Sequence, residues 1–294
     1  MNKNSSVTAR LKLTGAMAIF GTVGVFVRNI SVSSGQLALS RALIAALLLG
    51  LFLLISGKKI SFARIRKQAL LLLISGAAMG INWILLFEAY KHTTVSVATL
   101  SYYFAPVIVT LVCPILFRER LTGLQILCFA ASTLGLVLIA GIGSVKGSDT
   151  VGILFALGAA VLYASVVLLN KFIRDVEGLH RTFLQFVAAV AVLLPYVLLT
   201  DGTILPAMNG ISWLNLLTVG LIHTTLTYLM YFSALKDLPG QKAAILSYVD
   251  PLVAVLVSVT ILEESLSAQQ IVGGVLILGF TLLNELAPVR GKKA

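Results

Sequence analysis

Charged residues are scarce in this chain: Lys, Arg, Asp and Glu make up 11% of its 294 residues, while 59% are hydrophobic. A soluble domain carries roughly 25% charged residues, so this composition excludes an ordinary water-soluble fold. Apolar runs of about 20 residues, the length that crosses a bilayer, recur along the whole sequence. Most gaps between these runs are only a few residues long, which leaves no room for a separate soluble domain. The sequence therefore predicts a polytopic membrane protein.

Cysteines are also few, and the sequence patterns of common enzymes are missing. Cys113 and Cys128 both lie within apolar runs, which argues against a disulfide framework. The sequence contains no phosphate-binding loop, no spaced set of metal ligands and no nucleophile triad, so we expect no cofactor, no metal and no enzymatic activity. The net charge of +11 would suggest a nucleic-acid partner for a soluble protein. Here the basic residues lie mainly between apolar runs, so we expect no such partner.

Ten apolar segments are each long enough to form a transmembrane helix. We place them at residues 11–30, 35–55, 69–90, 94–117, 122–141, 151–171, 181–199, 212–234, 240–262 and 268–287. Ten alternating helices bring most Lys and Arg residues to one side of the membrane, and only Arg28, Arg41, Lys91 and Lys146 to the other. Positive charge marks the cytoplasmic side, so both termini are predicted to be cytoplasmic. The predicted fold class is an all-α polytopic membrane protein of ten transmembrane helices.

The two halves of the chain resemble each other at an offset of 145 residues, which pairs Pro106 with Pro251 and Glu119 with Glu264. Each half contains five predicted helices, an odd number, so the second half must be inserted upside down relative to the first. Inverted repeats can open a central site to one side of the membrane and then to the other, which is typical of secondary transporters. The predicted five-helix repeats are residues 1–145 and 146–294.

Two segments carry a family resemblance. In APVIVTLVCPILFRERLT and DPLVAVLVSVTILEESLS a Pro is followed thirteen residues later by Glu and then by Leu-Thr or Leu-Ser. With Arg41 in LSRALIAALLLG, these features make nearly the whole chain similar to the EamA-type transporters of the drug/metabolite transporter superfamily. The resemblance implies ten helices around a central cavity, the inner (plasma) membrane of a bacterium, and export of amino acids or other small metabolites rather than uptake. One departure is Phe20 before Gly21, where the family often has Trp.

Ionisable side chains within the predicted spans are candidates for the transport site, because such groups are costly to leave facing lipid. Asp250 lies near the middle of the ninth span, where its counterpart in the first repeat is the apolar Ala105. It could bind a cationic group or carry a proton; the alternative is an Asp held by neighbouring hydroxyls at a kink. His223, midway along the eighth span, could form a proton-coupling pair with Asp250 or only hydrogen-bond between helices.

An amide and several aromatic side chains complete the predicted substrate site. They would supply orienting hydrogen bonds and flat apolar walls. The alternative is that the aromatic rings only pack between helices or mark the membrane interface. These candidates are Asn82, Trp83, Tyr103, Tyr228 and Tyr248.

A second group of charged residues, Arg28, Arg41 and Glu88, lies near the outer ends of the first three predicted spans. They could form an outer vestibule that attracts a carboxylate. Alternatively, the basic side chains reach the lipid headgroups, and Glu88 pairs with Arg41.

The leading hypothesis is gradient-driven, alternating-access transport of a small polar or zwitterionic, amino-acid-like metabolite. A passive channel or facilitator would need a continuous polar stripe, whereas the polar residues here are few and clustered. A membrane-embedded lipid-modifying enzyme would need a catalytic group at the interface, and none stands out. We expect no partners besides the small-molecule substrate and membrane lipids, and a monomer or a homodimer.

Overall fold

The computed structural model describes residues 3–57, 62–117, 122–140, 147–173, 176, 178–204, 207–235, 237–238, 243 and 246–286. This part of the chain is helical and contains no strand. The helices are α1 (Lys3–Gly21), α2 (Val23–Arg28), α3 (Ser34–Ile55), α4 (Phe62–His92), α5 (Val95–Tyr102), α6 (Ala105–Phe117), α7 (Gly123–Ala140), α8 (Gly147–Phe172), α9 (Gly178–Thr200), α10 (Gly210–Thr218), α11 (Thr227–Leu235), α12 (Val249–Thr260) and α13 (Ala268–Leu286). A π-helical segment, Val219–Leu226, joins α10 to α11.

Within the described part of the chain, seven helical segments are long and apolar enough to cross a membrane. They are Val7–Arg28, Ser34–Ile55, Ile65–His92, Val95–Val112, Asp149–Phe172, Gly178–Thr200 and Gly210–Leu235. Three shorter apolar helices accompany them: Gly123–Ile139, Val249–Thr260 and Ala268–Asn284. The prediction of an all-α polytopic membrane protein is confirmed.

The main helix contacts join the first half of the chain to the second. Helix α3 packs on α9 and on the π-helical segment, and α4 packs on α8 and α9. Helix α1 packs on α11 and α12, and α7 packs on α13. The interior of the bundle is therefore built from facing helices of both halves.

Two glycines allow α4 to approach α9 closely, as their spacing of four residues indicates. A Cβ atom at Gly76 would lie 2.5 Å from the carbonyl oxygen of Gln185 and 2.6 Å from the Cβ atom of Ala188. A Cβ atom at Gly80 would lie 3.1 Å from the side chain of Leu193. Because backbone atoms face Gly76, a larger residue there must push the two helices apart.

Gly76→Ala is therefore expected to destabilise the protein by about 1–3 kcal/mol, the usual cost of overpacking a well-packed core. The matched control is Gly279→Ala in α13, where a Cβ atom would meet nothing within 4 Å. Alanine at that position should leave stability unchanged or raise it, because Ala favours a helix over Gly by about 1 kcal/mol. Thermal unfolding in detergent measures both. Equal effects of the two substitutions would contradict close packing at Gly76.

Three of the helical segments are interrupted. Thr22 separates α1 from α2, and Tyr103 lies between α5 and α6. Helix α12 begins directly after Tyr248. Pro106 and Pro251 follow two of these points, and each lacks the N–H group that a continuous helix would use. The backbone groups freed at such interruptions can bind other groups inside the bundle.

The π-helical segment Val219–Leu226 is a fourth irregularity. The hydroxyl groups of Thr224, Thr225 and Thr227 each donate to the carbonyl oxygen five residues earlier, at 2.7–2.9 Å. These bonds satisfy carbonyl groups along the widened turns. Such π-helical turns are rare and frequently occur at functional sites.

Candidate functional site

The irregular points of four helical segments meet inside the bundle. The Tyr103 hydroxyl donates to Oδ2 of Asp250 at 2.7 Å. Gly21 packs directly on Asp250, since a Cβ atom at position 21 would lie 2.5 Å from the Asp250 carbonyl oxygen. The next residue, Thr22, hydrogen-bonds Nε2 of His223 at 2.9 Å. We call Gly21, Thr22, Tyr103, His223 and Asp250 the central cluster.

Asp250 lies in the first turn of α12 and is partly exposed. The free N–H groups of a helix N-terminus favour a negative charge at this position. No basic side chain of the described residues forms an ion pair with Asp250, and its hydrogen bond comes from Tyr103. The described part of the chain also contains no group of three or more His, Cys, Asp or Glu side chains that could hold a metal ion. Asp250 is thus a carboxylate held by a hydroxyl group.

His223 lies in the π-helical segment and is buried. Its Nδ1 lies 3.3 Å from the carbonyl oxygen of Thr218. The Thr22 hydroxyl, 2.9 Å from Nε2, donates its own hydrogen to the carbonyl oxygen of Ile19 at 2.8 Å. The tautomer of the ring sets which of its two nitrogen atoms is the donor. The ring packs on Phe26 with the centroids 4.7 Å apart. His223 and Asp250 therefore have different partners, and the interruption between α1 and α2 contacts both.

Arg41 lies inside the bundle with only 5% of its surface exposed. Its Nε donates to the hydroxyl oxygen of Thr224 at 2.7 Å. The guanidinium group lies over the Trp83 ring, 4.5 Å from the centroid, and 5.9 Å from that of Phe87. Tyr228 belongs to the same aromatic group, because Phe186 packs on both the Trp83 ring and the Tyr228 ring. We call Arg41, Trp83, Phe87, Thr224 and Tyr228 the arginine pocket.

Two further aromatic residues pack around this pocket. The Tyr228 ring meets Phe20 and Phe186 edge-on, with centroids 5.4 and 5.3 Å apart. The Trp83 ring lies 5.5 Å from Phe186. Phe186 therefore joins Trp83 and Tyr228, two residues that the sequence predicted for the substrate site. Phe20, the departure from the family pattern, is part of the same aromatic surface.

The remaining predicted site residues lie close to these two groups. Nδ2 of Asn82 donates to the carbonyl oxygen of Ala159 at 2.5 Å, which ties α4 to α8. The Asn82 side chain also hydrogen-bonds Tyr102, whose ring lies 6.2 Å from that of Tyr103 in the central cluster. Tyr248 is buried directly before α12 and Asp250. Each of these residues thus lies where helices of the two halves meet.

Arg28 takes part in a contact between the halves at one end of the bundle. Its Nη1 lies 2.8 Å from Oε1 of Glu264, and its Nη2 donates to the carbonyl oxygen of Thr93 at 2.5 Å. The Glu264 carboxylate also accepts hydrogen bonds from the backbone N–H of Val95, at 2.9 and 3.1 Å, and from the Ser258 hydroxyl. We call Arg28, Thr93, Val95, Ser258 and Glu264 the latch. It connects α2 and the start of α5 to the loop between α12 and α13.

The three residues predicted for an outer vestibule have separate partners. Glu88 pairs with Lys91 at 3.1 Å and with His92 at 3.8 Å on its own helix. Arg28 belongs to the latch, and Arg41 to the arginine pocket. A cavity of about 330 Å³ at the latch end is lined by residues that include Arg28, Phe87, Tyr90 and Lys91. Phe87 therefore lines both this cavity and the arginine pocket.

Comparison with known proteins assigns the family. The sequence profile of the EamA-like transporter family matches this chain twice, at residues 9–141 and 150–285. The chain belongs to the EamA-like transporter family. The prediction of a transporter rather than an enzyme is thereby confirmed, as is the resemblance to EamA-type proteins. Membership of this family and the apolar helices fit a multi-pass inner-membrane protein.

Relatives of this EamA-like chain support the assignment. It is 32% identical over 252 residues to the uncharacterized transporter YxxF of Bacillus subtilis, which covers 85% of this chain and 80% of the relative. It is 26% identical over 288 residues to the uncharacterized inner membrane transporter YicL of Salmonella typhimurium, covering 95% of each. A protein of known crystal structure, 19% identical, covers 93% of this chain with a TM-score of 0.63. That likeness shows a shared fold.

Sequence reasoning missed several residues of the EamA-like site. Thr22 and Phe186 lie in apolar spans that give no signal for a contact with His223 or Tyr228. The run His223-Thr-Thr-Leu-Thr did carry a signal, because hydroxyl groups in membrane helices often bond to backbone carbonyls and alter the helix. That run covers the second half of the π-helical segment and holds the Thr224 hydroxyl that binds Arg41.

Proposed function

We propose that this chain is a secondary transporter that works by alternating access, with ten transmembrane helices in two inverted repeats, residues 1–145 and 146–294. The family profile matches once within each half, which supports the duplication. The interruptions at Tyr103 and before α12 fall at positions related by the 145-residue offset. Helices interrupted at corresponding points of two repeats are typical of transporter binding sites.

The meeting of four helix irregularities in the central cluster, around Asp250 and His223, is the observation that carries this proposal. Interruptions cost backbone hydrogen bonds within a membrane, so their meeting around two ionisable groups indicates a site rather than a scaffold. Asp250 serves as the coupling residue and accepts a proton or a cationic group of the substrate. His223 and Asp250 both contact the interruption between α1 and α2, and His223 is coupled to Asp250 through it. The substrate is a small, amino-acid-like metabolite.

The latch fits such a mechanism because its ion pair and hydrogen bonds join the two halves at one end of the bundle. With both termini in the cytoplasm, as the distribution of Lys and Arg predicts, this end faces away from the cytoplasm. Alternating access requires the halves to separate there in one state and to close in the other. We infer export as the direction from the resemblance to exporters of this superfamily.

Counterflow in proteoliposomes tests the proposal. Vesicles that contain the purified protein are loaded with the twenty proteinogenic amino acids, and uptake of each labelled amino acid from outside is followed. We expect internal unlabelled substrate to accelerate the entry of at least one labelled amino acid, because a carrier returns faster when loaded. An uptake rate that does not depend on the internal solute would indicate a channel. The same flux in vesicles without protein would overturn the proposal.

A further inference from the structure

Arg41 is a buried cation without an acidic partner. Helix α3 begins at Ser34, so Arg41 lies two turns, or about 10 Å, into the helix. Its one hydrogen bond to a described residue is the bond from Nε to Thr224. No Asp or Glu of the described residues lies within 4 Å of its nitrogen atoms. Charges within a membrane protein are normally paired, so an unpaired Arg41 indicates an anion that is not part of the protein.

The surroundings of Arg41 fix the direction of its guanidinium group. The Thr224 hydroxyl donates to the Val219 carbonyl, so its oxygen is free to accept from Nε. The Trp83 ring supports one face of the guanidinium by a cation–π contact. The two terminal nitrogen atoms are left to bind a ligand. A guanidinium held in one plane offers two parallel N–H groups, which match the two oxygens of a carboxylate.

The charge and shape of the pocket favour a carboxylate over other anions. The pocket contains a single positive charge, which balances a monoanion. A phosphate dianion would retain a negative charge in a poorly solvated interior, where electrostatic energies are large. Trp83, Phe87 and Tyr228 supply apolar walls of the kind that enclose the rest of a small ligand.

We propose that Arg41 binds the carboxylate group of the cargo within the arginine pocket, and so determines that the cargo is an organic acid such as an amino acid. This inference rests on the transport function proposed above and adds the chemical class of the substrate. It gives Arg41 a central role instead of the vestibule role that its sequence position suggested. Asp250 then remains available for the proton or for the cationic group of the cargo.

The pocket and the central cluster border the same region of the bundle. Thr224, which accepts the hydrogen bond of Arg41, directly follows His223 of the central cluster, and the rings of Tyr102 and Tyr103 lie 6.2 Å apart. A cargo bound at Arg41 therefore lies beside the acid that couples transport. The cavity at the latch end, with Arg28 and Lys91 in its lining, reaches the pocket at Phe87.

The first test uses the unmodified protein, so that folding of a variant is not in question. The twenty proteinogenic amino acids and the carboxamide of each are compared by thermal shift in detergent and then by titration. We expect at least one amino acid to raise the melting temperature, because a ligand that binds the folded state stabilises it. Its carboxamide should bind at least about tenfold more weakly, since a charged hydrogen-bonded pair is lost. Equal binding of acid and carboxamide, or no binding by any of the acids, overturns the proposal.

The second test assigns the effect to Arg41. Arg41→Gln should weaken binding of that amino acid at least about tenfold, and Arg41→Lys should weaken it less, because Lys keeps the charge but not the planar fork. Thr224→Val removes the partner of Nε without changing the charge and should give a smaller loss. Arg66→Gln, the same change at an exposed position near the start of α4, is the matched control and should bind as the unmodified protein does. Unchanged binding by Arg41→Gln overturns the assignment.

The two proposals fail in different ways. Counterflow of carboxamides or amines as fast as that of the acids would leave alternating access intact and remove the role of Arg41. Absence of counterflow with every solute would remove the transport function itself.

Discussion

Glu264→Ala is expected to lower the free energy of unfolding by about 3 kcal/mol, the effect of removing one partner from a buried ion pair. The Glu264 side chain is 5% exposed and satisfies three groups at once. It forms an ion pair with Arg28 and accepts a hydrogen bond from the Ser258 hydroxyl group. It also accepts a hydrogen bond from the first backbone N–H of α5, a group that has no partner within its own helix. Alanine would leave that N–H unpaired and Arg28 without its counter-ion, with only the Thr93 carbonyl as partner.

The neighbouring Glu263 provides the matched control for this prediction. It lies in the same loop, carries the same charge and is exposed. Its φ of 54° is equally strained for Glu and Ala, so Glu263→Ala isolates the loss of a surface carboxylate. We expect a change below about 0.5 kcal/mol for this control. Thermal unfolding in detergent compares the two, and equal shifts would mean that the latch does not stabilise this conformation.

Asp250→Asn is expected to abolish the pH dependence of transport while leaving the protein folded. The amide has nearly the same size as the carboxyl group, and its oxygen can still accept the hydrogen bond from Tyr103. It cannot take up or release a proton, so a step coupled to protonation at this site is lost. Transport rates in proteoliposomes should become constant between about pH 5 and 8, the range in which a physiological proton carrier acts. Asp237→Asn, at an exposed position, is the control and should keep the pH profile of the unmodified protein.

The same assay with His223→Asn separates the two candidate coupling residues. His223 reaches Thr22 but not Asp250, so its replacement should change the rate more than the shape of the pH profile. A flat profile for His223→Asn, with a normal profile for Asp250→Asn, would transfer the coupling role to His223. Unchanged pH dependence in Asp250→Asn alone already contradicts a proton carrier at that position.

The helical class of this fold was predictable because hydropathy measures the cost of moving each side chain out of water. Runs such as 35–55 and 151–171 are predominantly apolar, and the structure forms helices at Ser34–Ile55 and Gly147–Phe172. The prolines at 106 and 251 likewise indicated where two helices would be irregular. These are local effects, so a single sequence contains them.

The contacts of the site were not predictable in the same way, because they join residues far apart in the chain. Asp250 and His223 were recognised as ionisable groups within spans, but the partners Tyr103 and Thr22 lie 147 and 201 residues away. Packing of the complete bundle determines these pairs.

Arg41 shows a second limit of the sequence. Its distance from the start of the second span suggested the outer vestibule, beside Arg28 and Glu88. The predicted span 35–55 and helix α3, which begins at Ser34, place Arg41 at nearly the same depth. What the sequence could not show is that the side chain points into the bundle, where it contacts Trp83 and Thr224.

The π-helical segment has a consequence for how this protein is compared with its relatives. Turns closed by bonds to the fifth residue accommodate more residues than α-helical turns, and each additional residue rotates everything that follows by about 100°. The widened turns before α11 thus determine which face of this helix, with Tyr228 on it, is directed toward Phe20 and Phe186. A relative with one residue fewer in this stretch would turn a different side chain toward the arginine pocket. An alignment gap within residues 219–226 would therefore mark a change of pocket chemistry, even where the residues on either side are identical.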